Sequence, residues 1–140
     1  MALSASKLKE GDVHTARVVE DLKRTQIVQY AGASGDYNPL HTDEIFATQV
    51  AGYPSVFAHG MLTMGMTGKM LTDYVGDGRL TRYGVRFTSQ VFPGDTLDAT
   101  AKVKAITERD GMKLVELDIS TVNQNGVEVL SGSAEARLDP

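Results

Sequence analysis

Between Ser34 and His41 the chain reads SGDYNPLH, which sets a carboxylate (Asp36), an amide (Asn38), a proline and an imidazole (His41) close together. On a continuous helix Asp36 and His41 would stand about 140° apart and face nearly opposite sides. Pro39 works against such a helix, because it disfavours the helical region for Asn38 and removes one backbone donor. The segment must bend, and a bend can aim both side chains into one pocket. A carboxylate and an imidazole in one pocket can divide the work of moving protons near neutral pH. Asn38 is placed to orient Asp36 or a water through its amide. The same residues also make a good turn, with Asp36 and Asn38 bonding local backbone and His41 leading into the next helix. From the segment alone both readings stand.

A second constellation is FAHGM, residues 57 to 61. Gly60 opens a predicted helix, so its N–H and that of Met61 lack intrahelical partners. With the helix dipole behind them, these donors suit an oxygen that gains negative charge. Glycine also lets a ligand approach the backbone closely. His59 reads as a hydrogen-bonded core residue, and His14 as a solvated one. Three histidines so far apart in a chain without cysteine do not suggest a metal site.

The elements that must position these groups follow from hydrophobic periodicity. Leu97, Ala99, Ala101, Val103 and Ala105 alternate with polar residues, as do Val115, Leu117 and Ile119; both segments read as strands with one buried face. ERDG (108 to 111) supplies a hairpin turn between them, and Asn125-Gly126 predicts a type I′ turn after the second. The last strand, Val127 to Leu138, changes phase, and Gly132 suggests a bulge. With LTRYGVRFTSQVF, this makes four consecutive antiparallel strands over 80 to 139, a meander, and a fifth near Val13 to Val19. TQIVQYAGA reads as a short helix capped by Thr25 and ending near Gly32, and a further helical turn should follow Thr42. The longest helix, Gly60 to Val75, has only Lys69 and Asp73 as charges, and its apolar first half predicts burial nearly all round. Gly65 and Gly68 weaken it, which suggests a close approach to its backbone. Its methionines read as core filler, some of them lining an acyl tunnel. One sheet around one long helix is an α+β arrangement. Its open sheet edge predicts pairing of two copies.

The bulk numbers fit that outline. A chain of 140 residues, 41% hydrophobic and 23% charged, suits one domain over 1–140. A net charge of −4 without a basic run disfavours a nucleic-acid or anionic-membrane surface. The lack of cysteine removes disulfides and thiol chemistry, and no signal-peptide core or 18-residue apolar stretch is present, so a cytosolic location is expected.

DYNPLH at 36 to 41, FAHGMLTMG at 57 to 65 and YGVRFTSQVFPGDTL at 83 to 97, in that order, resemble the MaoC-like, (R)-specific enoyl-thioester hydratase/dehydratase family. They are also similar to the dehydratase subunits of type II fatty-acid synthesis in mycolate-making bacteria. The resemblance implies a hot-dog fold and a homodimer with a site near its interface. It implies reversible hydration of trans-2-enoyl thioesters, on CoA or carrier protein, to (R)-3-hydroxyacyl thioesters, with no cofactor or metal. By position it makes Asp36 and His41 the catalytic pair and Gly60 N–H the donor to the thioester carbonyl, with Met61 and Asn38 at the substrate. One departure is Gly68, beside Thr67, where some members carry a serine. Two alternatives remain: a non-catalytic acyl-binding or partner subunit of a hot-dog hetero-oligomer, and a thioesterase. The helix offers only Asp73, near its far end, as the carboxylate a hot-dog thioesterase would use.

Overall fold

The structure, a computed structural model, describes residues 3–140. Where apolar and polar residues alternate, the chain forms strands: β1 (Val13–Val19), β2 (Leu80–Phe87), β3 (Leu97–Arg109), β4 (Met112–Val122) and β5 (Glu128–Arg137). Between β1 and β2 lie α1 (Arg24–Ser34), α2 (Pro39–Thr42), a π-helical turn (Phe46–Val50) and the long helix α3 (Gly60–Val75). The five strands form one sheet in the order β1-β3-β4-β5-β2, every pair antiparallel. β3, β4 and β5 are a meander, but β2 crosses to the far edge and pairs β5 rather than β3. The expected four-strand meander is therefore corrected to three strands plus a returning edge strand. Turn signals mark where strands end, and they carry no information on which non-neighbouring strand supplies the partner.

The hairpin between β3 and β4 turns on Asp110 and Gly111, both at positive φ (52° and 78°), as a type I′ turn requires. The Asn125-Gly126 connection differs from expectation. Of its two residues only Gly126 has positive φ, and the Asn123 side chain organises the loop by accepting from the N–H groups of Asn125 and Val127. The bulge assigned to Gly132 sits elsewhere. Pairing of β4 with β5 shifts between Thr121 and Val122, so the extra residue is Val129, and both Val129 and Leu130 are buried as a result. Gly132 is regularly paired, opposite Ile119 and Val85. It must lack a side chain because a Cβ there would lie 2.1 Å from the carbonyl oxygen of Gly84.

α1 starts one residue before Thr25. Lys23 holds the N-cap position, its N–H donating to the Gln26 side chain, and the helix ends at Gly35 (φ 74°) rather than Gly32. Glutamine three residues on outcompetes the threonine for that role. α3 crosses the inner face of the sheet and buries Thr63, Thr67, Met70, Leu71 and Val75. Burial is confined to that stripe; Met61 stands 55% exposed, so the reading of a helix buried nearly all round was too broad. Leu71, Val75, Leu97, Leu117 and Leu130 are among the fully enclosed residues of the core.

Polar contacts fix the helix on the sheet. The Tyr83 hydroxyl donates to the Met64 carbonyl at 2.8 Å, and burial pushes its pKa up to about 12. Thr67 and Thr121 hydroxyls, both fully buried, pair at 2.7 Å. Gly68 is the position where the expected close approach occurs, since a Cβ would stand 3.3 Å from the Tyr83 ring; Gly65 has open space around it. His14, expected in solvent, is partly covered and stacks on Tyr74 at 4.3 Å. No helix among the described residues is long and apolar enough to cross a membrane.

Gly132→Ala should lower the unfolding free energy by about 3 kcal/mol or more, because the clash is with backbone. Gly84→Ala, which meets nothing within 4 Å, should change it by less than about 1 kcal/mol. Urea denaturation of the two variants reads the difference.

Candidate active site

The SGDYNPLH segment makes the expected local turn and also brings Asp36 and His41 near each other. Gly35 at positive φ ends α1 and turns the chain outward. The Asp36 Oδ1 then accepts from the Asn38 N–H at 3.2 Å, while Asn38 Oδ1 accepts from the Leu40 N–H at 3.0 Å and caps α2, with Pro39 in its first turn. These are the local turn bonds that the residue types favour. The contact expected between the Asn38 amide and Asp36 is made instead by the Asn38 backbone. The predicted helical turn after Thr42 is the π-helical one, opened by Asp43 accepting from Phe46 N–H at 3.1 Å.

That turn carries His41 back towards the mouth of α3. Phe57 N–H donates to the Leu40 carbonyl at 3.2 Å, and the Phe57 carbonyl lies 2.6 Å from His41 Nδ1. A carbonyl only accepts, so Nδ1 carries the proton in this contact and Nε2 is left as the acceptor. The ring also meets Phe57 edge-on at 5.3 Å. Asp36 is exposed and His41 half-buried, and one polar atom of each, with one of His59, all lie within 4.8 Å of one another.

His59 was read as a hydrogen-bonded core residue, and it is 2% exposed with Nε2 at 2.9 Å from the Asp36 carbonyl. Sequence spacing hid its neighbour: the ring stacks on His41 with centroids 3.8 Å apart and planes 23° apart. Two of the three histidines are thus together, contrary to the expectation of scattered ones. Their stacking is unlike a metal site, where ring nitrogens converge in their own planes on a single ion. Near-parallel rings do not converge in that way, and each already gives one nitrogen to a carbonyl.

Gly60 is the first residue of α3, so the helix leaves its N–H free to meet a ligand. A Cβ at Gly60 would lie 3.0 Å from the Phe87 ring, which packs on this residue from β2. The two line a cavity of about 240 Å³ with Phe57, Thr63, Val91 and Val129, and with the polar loop Thr88 to Gln90. Asp36 and His41 do not line it; Phe57, which lines it, touches His41 through its carbonyl and ring. Met61 is 55% exposed, and none of the α3 methionines lines this cavity. Thr67, beside the position where the family departure falls, has its hydroxyl committed to Thr121. Thr63, one turn earlier, faces the cavity instead.

The family model described as "MaoC like domain" matches residues 6–125. Over 85 residues the chain is 44% identical to 3-hydroxyacyl-thioester dehydratase Y of Mycobacterium tuberculosis, covering 59% of this chain and 29% of that one. It is 40% identical over 101 residues to the enoyl-CoA hydratase ChsH3 of the same organism, covering 70% and 32%. The chain thus spans about a third of the length of these curated relatives. Among solved structures, the (R)-hydratase from A. caviae involved in PHA biosynthesis superposes with a TM-score of 0.83 at 26% identity, over 96% of this chain and 99% of that one.

The caps predict a measurable local effect. Asn38→Ala should cost about 1 kcal/mol of stability by releasing the Leu40 N–H, and Asn38→Asp, which keeps an acceptor, should recover most of it. Thermal denaturation of the pair of variants checks this.

Proposed function

The chain belongs to the MaoC like domain family and has the hot-dog fold of its relatives, and from that premise we propose that it hydrates trans-2-enoyl thioesters, reversibly, to (R)-3-hydroxyacyl thioesters. The observation that carries the reading is the convergence of Asp36 and His41 at the start of α3. The relatives named as an enoyl-CoA hydratase, a 3-hydroxyacyl-thioester dehydratase and an (R)-hydratase support the substrate class. A CoA or carrier-protein thioester presents the same reacting atoms, so the proposal extends to both.

In the proposed reaction one water is held between the Asp36 carboxylate and His41 Nε2. Its oxygen bonds to the β-carbon as His41 takes one of its protons. The electron pair of the double bond moves to the thioester carbonyl, whose oxygen becomes negative. Gly60 N–H and the positive end of α3 stabilise that oxygen, with Met61 N–H behind it. The pair then returns one proton to the α-carbon, so the protein ends in its starting state. Asn38 acts from behind by holding the Asp36 carboxylate through its backbone N–H. The cavity beside Gly60 takes the acyl chain. Dehydration runs the same steps backwards.

β2 is an edge strand, and beside it Phe87 and Met61 are half exposed. The open β2 edge and these exposed apolar side chains support a homodimer; a paralogous subunit would use the same edge. A cytosolic location and a single domain across 1–140 complete the proposal.

Purified protein should remove the α,β-unsaturated absorbance of crotonyl-CoA, and Asp36→Asn or His41→Ala should lower turnover at least about 100-fold with the fold intact by circular dichroism. Full activity in both variants would refute the assigned pair. Release of free thiol without hydration would make the protein a thioesterase. Activity that arises only on mixing with a paralogous subunit would make it one half of a hetero-oligomer.

A further inference from the structure

The Asp36 side chain and N–H are held by very short-range bonds. Its N–H donates to Ser34 Oγ at 3.2 Å and its carboxylate accepts from Asn38 N–H, each two residues away. Such bonds shape a turn but do not fix where the turn sits against the rest of the protein. The contact that does so comes from His59, 23 residues on, whose Nε2 meets the Asp36 carbonyl at 2.9 Å. That carbonyl can only accept, so His59 is protonated on Nε2 here and donates. Its other nitrogen, Nδ1, is buried without a hydrogen-bond partner.

An unpartnered buried acceptor costs free energy, so a residue retained only to fill the core would be better replaced by an apolar ring. What an apolar ring cannot do is donate to Asp36. His59 makes three contacts at once. It donates to the Asp36 backbone, its ring face covers the face of His41 at 3.8 Å, and its edge meets Tyr30 of α1 at 4.8 Å. Its own backbone leads directly into Gly60, the first residue of α3. The carboxylate, the imidazole and the free N–H of the helix mouth therefore share one buried side chain as their common reference.

We propose that His59 is a positioning residue: its Nε2–H bond to the Asp36 carbonyl and its stacking on His41 hold the acid–base pair in register with the Gly60 N–H. This rests on the hydratase reading for its kinetic consequence, but not for its geometric one. A displacement of about 1 Å in a catalytic group can cost roughly 100-fold in rate. Loss of the donor alone should then lower kcat while leaving the acyl cavity, which His59 does not line, as it was.

The test compares His59→Phe, which keeps an aromatic ring and loses the donor, with His59→Gln, whose amide nitrogen reaches the place of Nε2. For hydration of crotonyl-CoA, His59→Phe should lower kcat by at least about tenfold with KM changed less than about threefold, and His59→Gln should recover most of the loss. Equal kcat per folded molecule in His59→Phe and wild type would overturn the proposal. So would an equal loss in both variants. A second readout needs neither a stable variant nor activity: nitrogen-resolved NMR of the wild-type imidazoles should show His59 protonated on Nε2 and His41 on Nδ1. His59 carrying its proton on Nδ1 would overturn the positioning role. A wild type with the expected tautomers but no hydration of any enoyl thioester would instead remove the reaction and leave the geometry standing.

Discussion

A backbone carbonyl has no proton to give, and the placement of Phe57 makes that limitation decisive. Its oxygen lies 2.6 Å from His41 Nδ1, so the proton sits on that nitrogen and the lone pair faces the other way, from Nε2. The same residue donates its N–H to Leu40. Two bonds from one residue thus clamp the segment that carries His41 to the strand-like stretch that leads into α3. Ala58, next in line, donates to the Val91 carbonyl at 2.7 Å and fixes that stretch to the loop that walls the cavity. Without the Phe57 carbonyl, nothing among the described residues fixes the proton of His41 on Nδ1, although the His59 ring still covers its face.

The site is built where little side-chain bulk is tolerated. Gly60 lies against Phe87 and Gly68 against Tyr83, so helix and sheet approach each other through missing side chains, while Gly132 lets β5 lie close to the Gly84 backbone of β2. Tyr83 and the Thr67–Thr121 pair then lock the approach with buried hydrogen bonds. A buried hydroxyl pair is stable only when both members are satisfied, which makes these contacts sensitive to sliding of the helix along the sheet. Register of α3 sets where Gly60 and its unpaired N–H lie relative to His41 and the cavity.

Much of this was legible in the sequence, for a physical reason. β1 and most of β3 alternate residue by residue between covered and more exposed positions, β4 and β5 do so over part of their length, and Gly60–Val75 is long enough for its apolar stripe to stand out. What escaped involved competition or distance. Lys23 and Gln26 outbid Thr25 as the start of α1, Val129 rather than Gly132 took the bulge, and β2 found its partner across the sheet. Within the site, Asp36, Asn38 and His41 were visible because a proline-bent turn is local. His59 was visible only as a buried histidine, since its stacking on His41 depends on the chain returning to the loop 18 positions later. A polar residue expected in the core next to a glycine that opens a helix was the one available signal.

In the proposed reaction a single water, held by Asp36 and His41 on one face of the substrate, supplies both the hydroxyl and the path for the proton. Hydration of crotonyl-CoA in deuterium oxide tests it directly, with the product's C2–C3 configuration read by NMR after hydrolysis. Addition from one side predicts that deuterium at C2 and the hydroxyl at C3 arrive on the same face, in a single diastereomer. Delivery to opposite faces, or a mixture at C2, would contradict a shared water and require a proton donor elsewhere in the site.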